Sequence, residues 1–177
     1  MKLVILDRDG TINQDSDQYI KSPAEWKPIP GSLQAIARLN QGGWRVVVAT
    51  NQSGIARGLF DMAALNAIHA EMHRAVGLAG GRIDAIFFCP HAADSGCECR
   101  KPKPGLLREI ASRMDVDLAE VPMVGDSLRD LEAAATAGAK PYLVLTGKGK
   151  KTRDAGGLPP GTQVFADLGA LAARLAP

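Results

Sequence analysis

Short apolar runs alternate with amphipathic helical patterns along the chain, and this alternation restricts the possible fold more than any other feature. Six runs are typical of buried strands: KLVILD, WRVVVAT, IDAIFFC, VPMVGD, PYLVLTG and TQVFAD. Five segments have the pattern of helices: GSLQAIARLNQGG, DMAALNAIHAEMHRAVGLAGG, GLLREIASRM, SLRDLEAAATAGA and LGALAARLA. Strands that alternate with helices join by right-handed crossovers into a parallel sheet covered on both faces. We therefore predict a three-layer, Rossmann-like α/β fold.

The length and charge of the chain narrow the class of protein further. Its 177 residues predict a single domain, 1–177, with no room for a separate cap domain. Only the loops 12–30 and 90–104 can then shape the mouth of a pocket, which we expect to be shallow and open. A net charge of +2 does not indicate nucleic acid or a membrane surface as a partner. The basic segment TGKGKKTR follows a strand and is predicted to be a solvated loop.

Nothing in the sequence indicates export or membrane insertion. Met1 and Lys2 lead directly into a strand-like run without a cleavage pattern, and no apolar run is long enough to cross a bilayer. We therefore expect a cytoplasmic protein. The lack of an obvious apolar interface helix favours a monomer.

Polar side chains stand at the ends of three predicted strands. Asp7 ends the first strand and Asp126 ends VPMVGD, while Thr50 ends the second strand with Asn51. Ligands of open parallel sheets bind outside the carboxyl ends of the strands, so these residues are expected to converge on one site. Asp7 and Asp9 are two carboxylates at the end of a buried strand, which is costly unless a ligand uses them.

This set of residues fits phosphoryl transfer. The carboxylate of Asp7 can attack phosphorus and form an acyl phosphate, which splits one difficult displacement into two easier ones. Mg²⁺ suits one or two carboxylates and a phosphate oxygen as ligands. The aspartates that end the first strand and VPMVGD can supply these carboxylates. Thr50, the amide groups around Asn51 and Lys101 can hold the transferred group. Asp9 can protonate the leaving oxygen and then deprotonate the attacking water.

Four motifs carry a resemblance that covers nearly the whole chain. The motifs are DRDGT (7–11), VVVATNQSG (46–54), RKPKPG (100–105) and VGDSLRD (124–130). In order, spacing and context they resemble the motifs of the haloacid dehalogenase (HAD) superfamily of phosphohydrolases. The resemblance implies that Asp7 is the nucleophile and Asp9 the acid and base, and that Thr50 and Lys101 hold phosphate. It also implies a Mg²⁺ site made by the carboxylates of Asp7 and Asp126 and the backbone carbonyl of Asp9.

The three cysteines lie close together in the sequence, with a histidine among them. The segment CPHAADSGCECRK has the spacing C-x-H-x5-C-x-C, with the residues Cys89, His91, Cys97 and Cys99. An odd number of cysteines argues against a disulfide framework. Three thiolates and one imidazole form a closed tetrahedral zinc set, which is structural because no position remains for water or substrate. We predict a structural Zn²⁺ that preorganises Arg100 and Lys101 over the phosphate site.

Within the superfamily, a capless chain with a C-P-H…C-x-C-R-K loop resembles two families. One is the D-glycero-D-manno-heptose 1,7-bisphosphate 7-phosphatases, which act in lipopolysaccharide-precursor biosynthesis, and the other is the histidinol-phosphate phosphatases. TNQSGIARG (50–58), with Ser53 and Arg57, is similar to the heptose family, whereas the histidinol family usually has Asp in place of Ser53. A second phosphate on the substrate also favours additional basic side chains in the protein. Arg57, Arg100 and Lys103 can meet such an anionic substrate.

The resemblance to the heptose family implies further contacts with a small sugar bisphosphate. In that family the loop after the first motif and the TNQS turn contact the sugar. The matching positions in this chain are Asp15, Tyr19, Gln52 and Ser53. Arg100 fits a bidentate contact with phosphate or hydroxyl groups.

Other classes of protein share parts of this pattern. A polynucleotide 3′-phosphatase needs a basic groove and stacking aromatics, but the chain has only two Trp and two Tyr. A phospho-receiver domain has its acidic pair and its acceptor on separate strands, whereas DRDGT places both acids of this chain at the first strand. A non-catalytic zinc-stabilised binding module would need a broken motif, and none of the four is broken.

The sequence leaves three titratable residues without an assigned role. Asp130 lies four residues after Asp126 and either faces the site or favours the positive end of a helix. His69 and His73 lie four apart on a predicted helix, without the Glu of an H-E-x-x-H arrangement. We expect both histidines to be ordinary helix residues.

Overall fold

The computed structural model describes residues 1–177 and contains one six-stranded sheet. The strands are β1 Leu3–Leu6, β2 Arg45–Asn51, β3 Ala85–Cys89, β4 Pro122–Gly125, β5 Lys140–Val144 and β6 Gln163–Phe165. The helices are α1 Ser32–Gln41, α2 Met62–Leu78, α3 Gly105–Met114, α4 Leu128–Ala137, α5 Gly149–Ala155 and α6 Leu168–Leu175. All neighbouring strands are parallel, in the order β3-β2-β1-β4-β5-β6. The predicted parallel α/β fold is therefore confirmed.

Two apolar clusters cover the two faces of the sheet. On one face Val4 and Leu6 pack with side chains of α1, α2 and α6. On the other face Leu3 and Ile5 pack with side chains of α3 and α4. Successive side chains of a strand point to opposite faces, so β1 is buried on both sides. This burial explains the continuous apolar run that begins the sequence.

The order of the strands places a crevice beside β1. The chain passes from β1 to β2 and β3 on one side, and it then returns to place β4 on the other side of β1. Ligands of open α/β sheets bind at this reversal, outside the carboxyl ends of the strands. The segments that follow β1, β2 and β4 therefore meet at one edge of the sheet.

Local signals set most helix ends, with one exception. The carboxylate of Asp61 accepts a hydrogen bond from the Ala64 amide (2.8 Å) at the start of α2, and Gly138 ends α4 with a φ of 83°. The prediction that TGKGKKTR is a solvated loop is wrong, because its last five residues, 149–153, lie in α5. The hydroxyl of Thr152 donates to the Asp126 carbonyl at 2.7 Å, so a tertiary contact rather than apolar periodicity supports this helix.

The loop 12–30 has defined internal structure. Asn13 forms isolated bridges with Asp9 and Pro28, and a 3-10 turn spans Pro23–Glu25. No helix of the structure is both long and apolar enough to span a bilayer.

Candidate active site

A cavity of about 370 Å³ lies outside the carboxyl ends of β1, β2 and β4. Eighteen residues line it and only one is hydrophobic, so the cavity suits a polar ligand. The predicted residues that line it are Asp7, Asp9, Asp15, Tyr19, Thr50, Asn51, Gln52, Ser53, Arg57, Arg100, Lys101 and Asp126. Lys103 does not line it, because its ammonium group pairs with Glu98 at 3.1 Å instead.

Lys101 is the centre of a buried ion-pair network. Its Nζ donates to Asp7 Oδ1 (2.9 Å), to Asp130 Oδ1 (2.7 Å) and to the Ala49 carbonyl (2.7 Å). Its side chain is only 2% exposed. The second oxygen of Asp7, Oδ2, accepts no hydrogen bond from the protein. Asp7 therefore has one anchored oxygen and one free oxygen.

The aspartates around Lys101 carry more negative charge than the lysine can balance. Burial raises the pKa of Asp7 well above its ordinary value, and the charge of Asp130 adds to this effect. Burial and the charge of Asp130 also raise the pKa of Asp126 to about 7. Ligand oxygens of Asp7, Asp126 and Asp130 all lie within 4.8 Å of one another. Three carboxylates beside one ammonium leave two negative charges, which is the charge that Mg²⁺ neutralises.

Asp130 has both of the functions that the sequence left open. Its Oδ1 accepts from Lys101, and its Oδ2 accepts from the amide (3.1 Å) and the hydroxyl (2.9 Å) of Ser127. The contact with the Ser127 amide is the Asp130 half of the capping box of α4. Both oxygens of Asp130 thus accept hydrogen bonds from the protein, and the contact of Oδ1 supports Lys101.

The carboxylate of Asp126 is held in one position by backbone on several sides. Its Oδ2 accepts from the Lys148 amide at 2.8 Å. A Cβ atom at Gly10 or at Gly147 would overlap this carboxylate, and both glycines have positive φ (82° and 55°). Only glycine combines this conformation with this close approach, which explains the glycine of the DRDGT motif.

Asp9 faces a separate set of partners. Its Oδ1 accepts from Arg8 Nε (2.8 Å) and Asn13 Nδ2 (2.9 Å), and its Oδ2 accepts from Arg8 Nη2 (3.2 Å) and Gln52 Nε2 (3.3 Å). Burial alone would raise the pKa of Asp9, but the charge and hydrogen bonds of Arg8 outweigh it with help from Asn13 and Gln52. The pKa of Asp9 is therefore lowered.

The turn after β2 connects the strand ends to the loop that precedes α3. Gln52 Nε2 also donates to Thr50 Oγ1 at 2.9 Å, so Gln52 bridges Thr50 and Asp9. The side-chain amide of Asn51 donates to the Lys101 carbonyl (3.0 Å) and accepts from the Lys101 amide (3.0 Å). This double contact fixes the backbone of Lys101 against the sheet.

Basic and aromatic side chains line the outer part of the cavity. Arg57 lies over the ring of Tyr19, with 5.9 Å between its guanidinium carbon and the ring centroid. Tyr19 has a positive φ of 67°, which is uncommon for a residue with a side chain and is often found at binding sites. Arg100 is half-buried, and its Nη1 is buried without a hydrogen-bond partner. A guanidinium nitrogen of this kind fits an anionic ligand.

The predicted zinc ligands come together beside this cavity. One ligand atom from each of Cys89, His91, Cys97 and Cys99 lies within 4.8 Å of all the others. Cys89 Sγ lies 3.7 Å from Cys97 Sγ and 3.4 Å from His91 Nδ1, and His91 Nδ1 lies 3.2 Å from Cys99 Sγ. A tetrahedral Zn²⁺ with Zn–S bonds of about 2.3 Å requires sulfur atoms about 3.8 Å apart. The arrangement therefore fits a four-coordinate Zn²⁺.

The pKa values of the three thiols shift in different directions, and burial raises that of Cys89. A hydrogen bond with Ser95 lowers the pKa of Cys97 to about 6, so this residue is ready to act as a thiolate. Burial and the neighbouring cysteines raise the pKa of Cys99 to about 12. A coordinated metal ion removes the proton of such a thiol. All three cysteines are free of disulfide bonds.

Several residues that sequence reasoning missed also belong to the site. Lys148 and Arg129 line the cavity, and Lys148 Nζ pairs with Asp15 Oδ2 at 3.3 Å. His69 is buried, and its Nε2 lies 3.2 Å from Arg8 Nη1. The signal that could have indicated Arg8 is its place between two acids in a buried segment.

The fold and this cluster of carboxylates around a lysine define a hydrolase of the HAD-like class, and a family model described as HAD-hydrolase-like matches residues 98–171. Two curated relatives are named D-glycero-β-D-manno-heptose-1,7-bisphosphate 7-phosphatase. The relative from Bordetella bronchiseptica is 67% identical over 175 residues, covering 99% of this chain and 98% of its own. The relative from Pseudomonas putida is 56% identical over 175 residues, covering 99% of both chains. The chain belongs to the D-glycero-β-D-manno-heptose-1,7-bisphosphate 7-phosphatase family.

Solved structures agree with this assignment. The chain is similar to the D,D-heptose 1,7-bisphosphate phosphatase of B. bronchiseptica complexed with magnesium and phosphate, with a TM-score of 0.98, 67% identity and coverage of 99% and 98% of the two chains. It is also similar to the enzyme of this name from Burkholderia thailandensis, with a TM-score of 0.80, 57% identity and coverage of 98% and 97%. The predicted family is therefore confirmed.

Proposed function

We propose that the chain hydrolyses the 7-phosphate of D-glycero-β-D-manno-heptose 1,7-bisphosphate, with Mg²⁺ and through a phosphorylated Asp7. The observation that carries this proposal is the carboxylate of Asp7, which has one oxygen anchored by Lys101 and one free oxygen in a polar cavity. The β anomer follows the names of the relatives. A chain that is 67% identical to such a phosphatase is expected to share its substrate.

The first step transfers the phosphoryl group to Asp7. The free Oδ2 of Asp7 attacks phosphorus, the bond between phosphorus and the oxygen of C7 breaks, and the electron pair stays on that oxygen. Arg8 lowers the pKa of Asp9, so Asp9 takes up a proton as the negatively charged phosphate binds beside it. Asp9 then gives this proton to the leaving oxygen, so the sugar leaves as an alcohol and Asp9 becomes a carboxylate. Thr50 and Lys101 are assigned to the oxygens of the transferred group. Lys101 would exchange one of its three contacts, with Asp7, Asp130 or Ala49, for a phosphate oxygen, because an ammonium group has only three donors. Bound Mg²⁺ would reduce the repulsion between the carboxylate and the phosphate.

The second step releases inorganic phosphate. A water molecule attacks the phosphorus of phosphorylated Asp7 and loses a proton to the Asp9 carboxylate. The bond between phosphorus and Asp7 breaks, which restores the Asp7 carboxylate and the protonated Asp9. The two steps therefore return the protein to its starting state.

Mg²⁺ has suitable ligands in this site. We assign it to the carboxylates of Asp7 and Asp126 and to the backbone carbonyl of Asp9. Hard oxygen ligands and the two uncompensated negative charges support this assignment. The magnesium in the similar B. bronchiseptica structure supports it as well.

Arg100 is the residue that we assign to a phosphate of the substrate. Its buried Nη1 has no protein partner, and it follows the zinc ligand Cys99 directly in the sequence. The side chains that we assign to the sugar are those of Asp15, Tyr19, Gln52 and Ser53. Asn51 supports the site by fixing the backbone of Lys101. All of them line the cavity.

We assign a structural Zn²⁺ to Cys89, His91, Cys97 and Cys99. The donor set and the distances between the sulfur atoms support this metal. Lys101 is also fixed by Asn51 and by its buried ion pairs, so the zinc loop matters most for Arg100. Metal analysis of the purified protein is expected to give one zinc per chain, and Cys97→Ser is expected to lower this content.

We further propose that residues 1–177 form a single domain that acts as a monomer in the cytoplasm. One sheet includes strands from both ends of the chain, which supports a single domain. Of the exposed large apolar side chains, Leu59 and Met62 line one shallow pocket, whereas Met1, Leu78 and Val164 lie on other segments of the chain. Light scattering of the purified protein tests the monomer.

Phosphate release from a panel of substrates tests the proposed function. The panel contains both anomers of heptose 1,7-bisphosphate, histidinol phosphate and fructose 1,6-bisphosphate, each with Mg²⁺. The proposal expects a clear preference for the β heptose anomer and release of the 7-phosphate only. A preference for histidinol phosphate would keep the chemistry and overturn the substrate. No hydrolysis by wild-type protein, with Asp7→Asn as the blank, would overturn the chemistry itself.

A further inference from the structure

Arg8 is a fully buried cation between the two aspartates of the first motif. Its Nε and Nη2 donate to the two oxygens of Asp9, at 2.8 and 3.2 Å. The side chain of Arg8 is 0% exposed, and that of Asp9 is 25% exposed. This two-pronged contact fixes the plane of the carboxylate as well as its position.

His69 occupies the opposite side of the Arg8 guanidinium. It lies on α2, its side chain is buried, and its Nε2 is 3.2 Å from Arg8 Nη1. Arginine only donates, so Nε2 of His69 is the acceptor and the ring proton is on Nδ1. Burial and the charge of Arg8 lower the pKa of His69 to about 3, in agreement with a neutral ring. A neutral acceptor satisfies the guanidinium without competing with Asp9 for its charge.

The two oxygens of Asp9 are held unequally. The contacts of Oδ1 with Arg8 and Asn13 are 2.8 and 2.9 Å, whereas the contacts of Oδ2 with Arg8 and Gln52 are 3.2 and 3.3 Å. Gln52 also contacts Thr50, at the end of β2. The more loosely held oxygen is therefore on the side where the phosphate is expected.

We propose that Arg8 and His69 are positioning residues for the acid–base group, such that Arg8 orients Asp9 and His69 orients Arg8. This inference rests on the role of Asp9 under the proposed function. Oδ1 is the anchored oxygen, and Oδ2 is the oxygen that passes a proton to the oxygen of C7. Because Arg8 lowers the pKa of Asp9, Oδ2 takes up this proton only when a negatively charged phosphate binds beside it. After that transfer Asp9 is a carboxylate, and Arg8 stabilises it until it accepts a proton from water.

The expected loss of activity depends on the leaving group of the substrate. An alkoxide from a sugar needs a proton as it leaves, so its departure depends on a well-placed acid. A nitrophenolate leaves as a stable anion and needs little help. The value of kcat/KM reports the steps up to departure of the leaving group and excludes the later hydrolysis of phosphorylated Asp7. A defect in the position of Asp9 therefore lowers kcat/KM for the sugar phosphate much more than for p-nitrophenyl phosphate.

The experiment compares kcat/KM for these two substrates in the full chain with Mg²⁺. For His69→Leu we expect kcat/KM to fall by about tenfold or more with the heptose bisphosphate and by less than about threefold with p-nitrophenyl phosphate. The larger loss is a part of the rate enhancement that general acid catalysis supplies. His69→Gln, which can place an amide oxygen near Nε2, is expected to recover most of the loss. His73→Leu, on the exposed side of the same helix, is the matched control and is expected to match wild type.

Other outcomes have distinct meanings. Equal losses with both substrates, or no loss with either, would overturn the positioning role of His69. If His69→Leu does not fold, Arg8→Lys provides the same comparison, because lysine keeps the charge and loses the two-pronged contact. Equal losses in Arg8→Lys would then overturn the proposal. Asp9→Asn serves as the benchmark: if it does not discriminate between the substrates, the assigned role of Asp9 fails rather than that of His69.

Discussion

Two clusters of possible metal ligands lie at the same edge of the sheet, and they differ in what holds them together. The carboxylates around Lys101 are buried, and hydrogen bonds from Lys101, Ser127 and the Lys148 amide fix them. The sulfur cluster lies on a loop without regular structure, and His91 is exposed. The first cluster is therefore preorganised by the protein itself, whereas the second would depend on the Zn²⁺ that we propose for it. A catalytic ion can exchange without loss of the fold, and a structural ion cannot.

Asp7→Asn is expected to have the largest effect on activity. An amide is a poor nucleophile, so kcat should fall by at least about 1,000-fold. The unfolding midpoint should stay close to wild type, because the amide can still accept from Lys101. Phosphate release and thermal unfolding measure the two properties, with the exposed Asp94→Asn as the control. Substantial residual turnover would contradict the assignment of Asp7.

Lys101→Met tests whether the carboxylate cluster depends on its own ion pairs. Breaking a buried pair leaves Asp7 and Asp130 without their cation, and we expect a loss of about 3 kcal/mol in the free energy of unfolding together with loss of activity. Lys103→Met, which changes the exposed lysine two residues away, is the matched control and should change stability by less than about 0.5 kcal/mol. Urea unfolding gives both values. Similar stabilities for the two variants would show that the network is not what holds this cluster.

Selective removal of each metal tests the comparison directly. Removal of Mg²⁺ should abolish activity, change the unfolding temperature little and be reversed at once by added Mg²⁺. Removal of zinc at saturating Mg²⁺ should lower the unfolding temperature by several degrees, and it should raise KM by about tenfold because the loop with Arg100 loses its position. Measurements of activity, KM and the unfolding temperature with and without each ion test these expectations. Full activity of zinc-stripped, folded protein would disprove the role of the zinc loop.

The smallest expected effect concerns pH and the buried His69. Its pKa of about 3 in the folded state lies below the ordinary value of 6.5, so the unfolded chain binds a proton first as the pH falls. The contribution to stability is complete above pH 6.5 and is lost progressively between pH 6.5 and 3. The slope is at most about 1.4 kcal/mol per pH unit. Urea unfolding at pH 7 and 5 should show a smaller pH dependence for His69→Gln than for wild type and for His73→Gln.

The sequence was sufficient for those parts of the site that stand at strand ends. Asp7, Thr50 and Asp126 follow apolar runs, and the topology of a parallel sheet brings such positions together. The clustering of Cys89, His91, Cys97 and Cys99 was also predictable, because their spacing in the sequence is local. These are features that a single segment or a general rule of topology determines.

Other parts depend on contacts that no local pattern reveals. Lys148 contacts Asp126 through its backbone amide, and every residue except proline has such a donor. The contact between Arg8 and His69 joins residues 61 positions apart. The short helix α5 has a polar composition and depends on a hydrogen bond from Thr152 to the Asp126 carbonyl. Only the folded structure shows which distant segments meet.

The contacts that the segment 146–152 makes with Asp126 and Gly10 have a consequence for the chain during its synthesis. All four motifs have left the ribosome once residue 130 is free, but the hydroxyl of Thr146, which donates to the Gly10 carbonyl at 2.7 Å, has not. The amide donor to Asp126 and the hydroxyl of Thr152 emerge later still. A nascent chain therefore contains its complete set of motifs before these contacts can fix Asp126. The hydrolase becomes competent only when most of its length has been made.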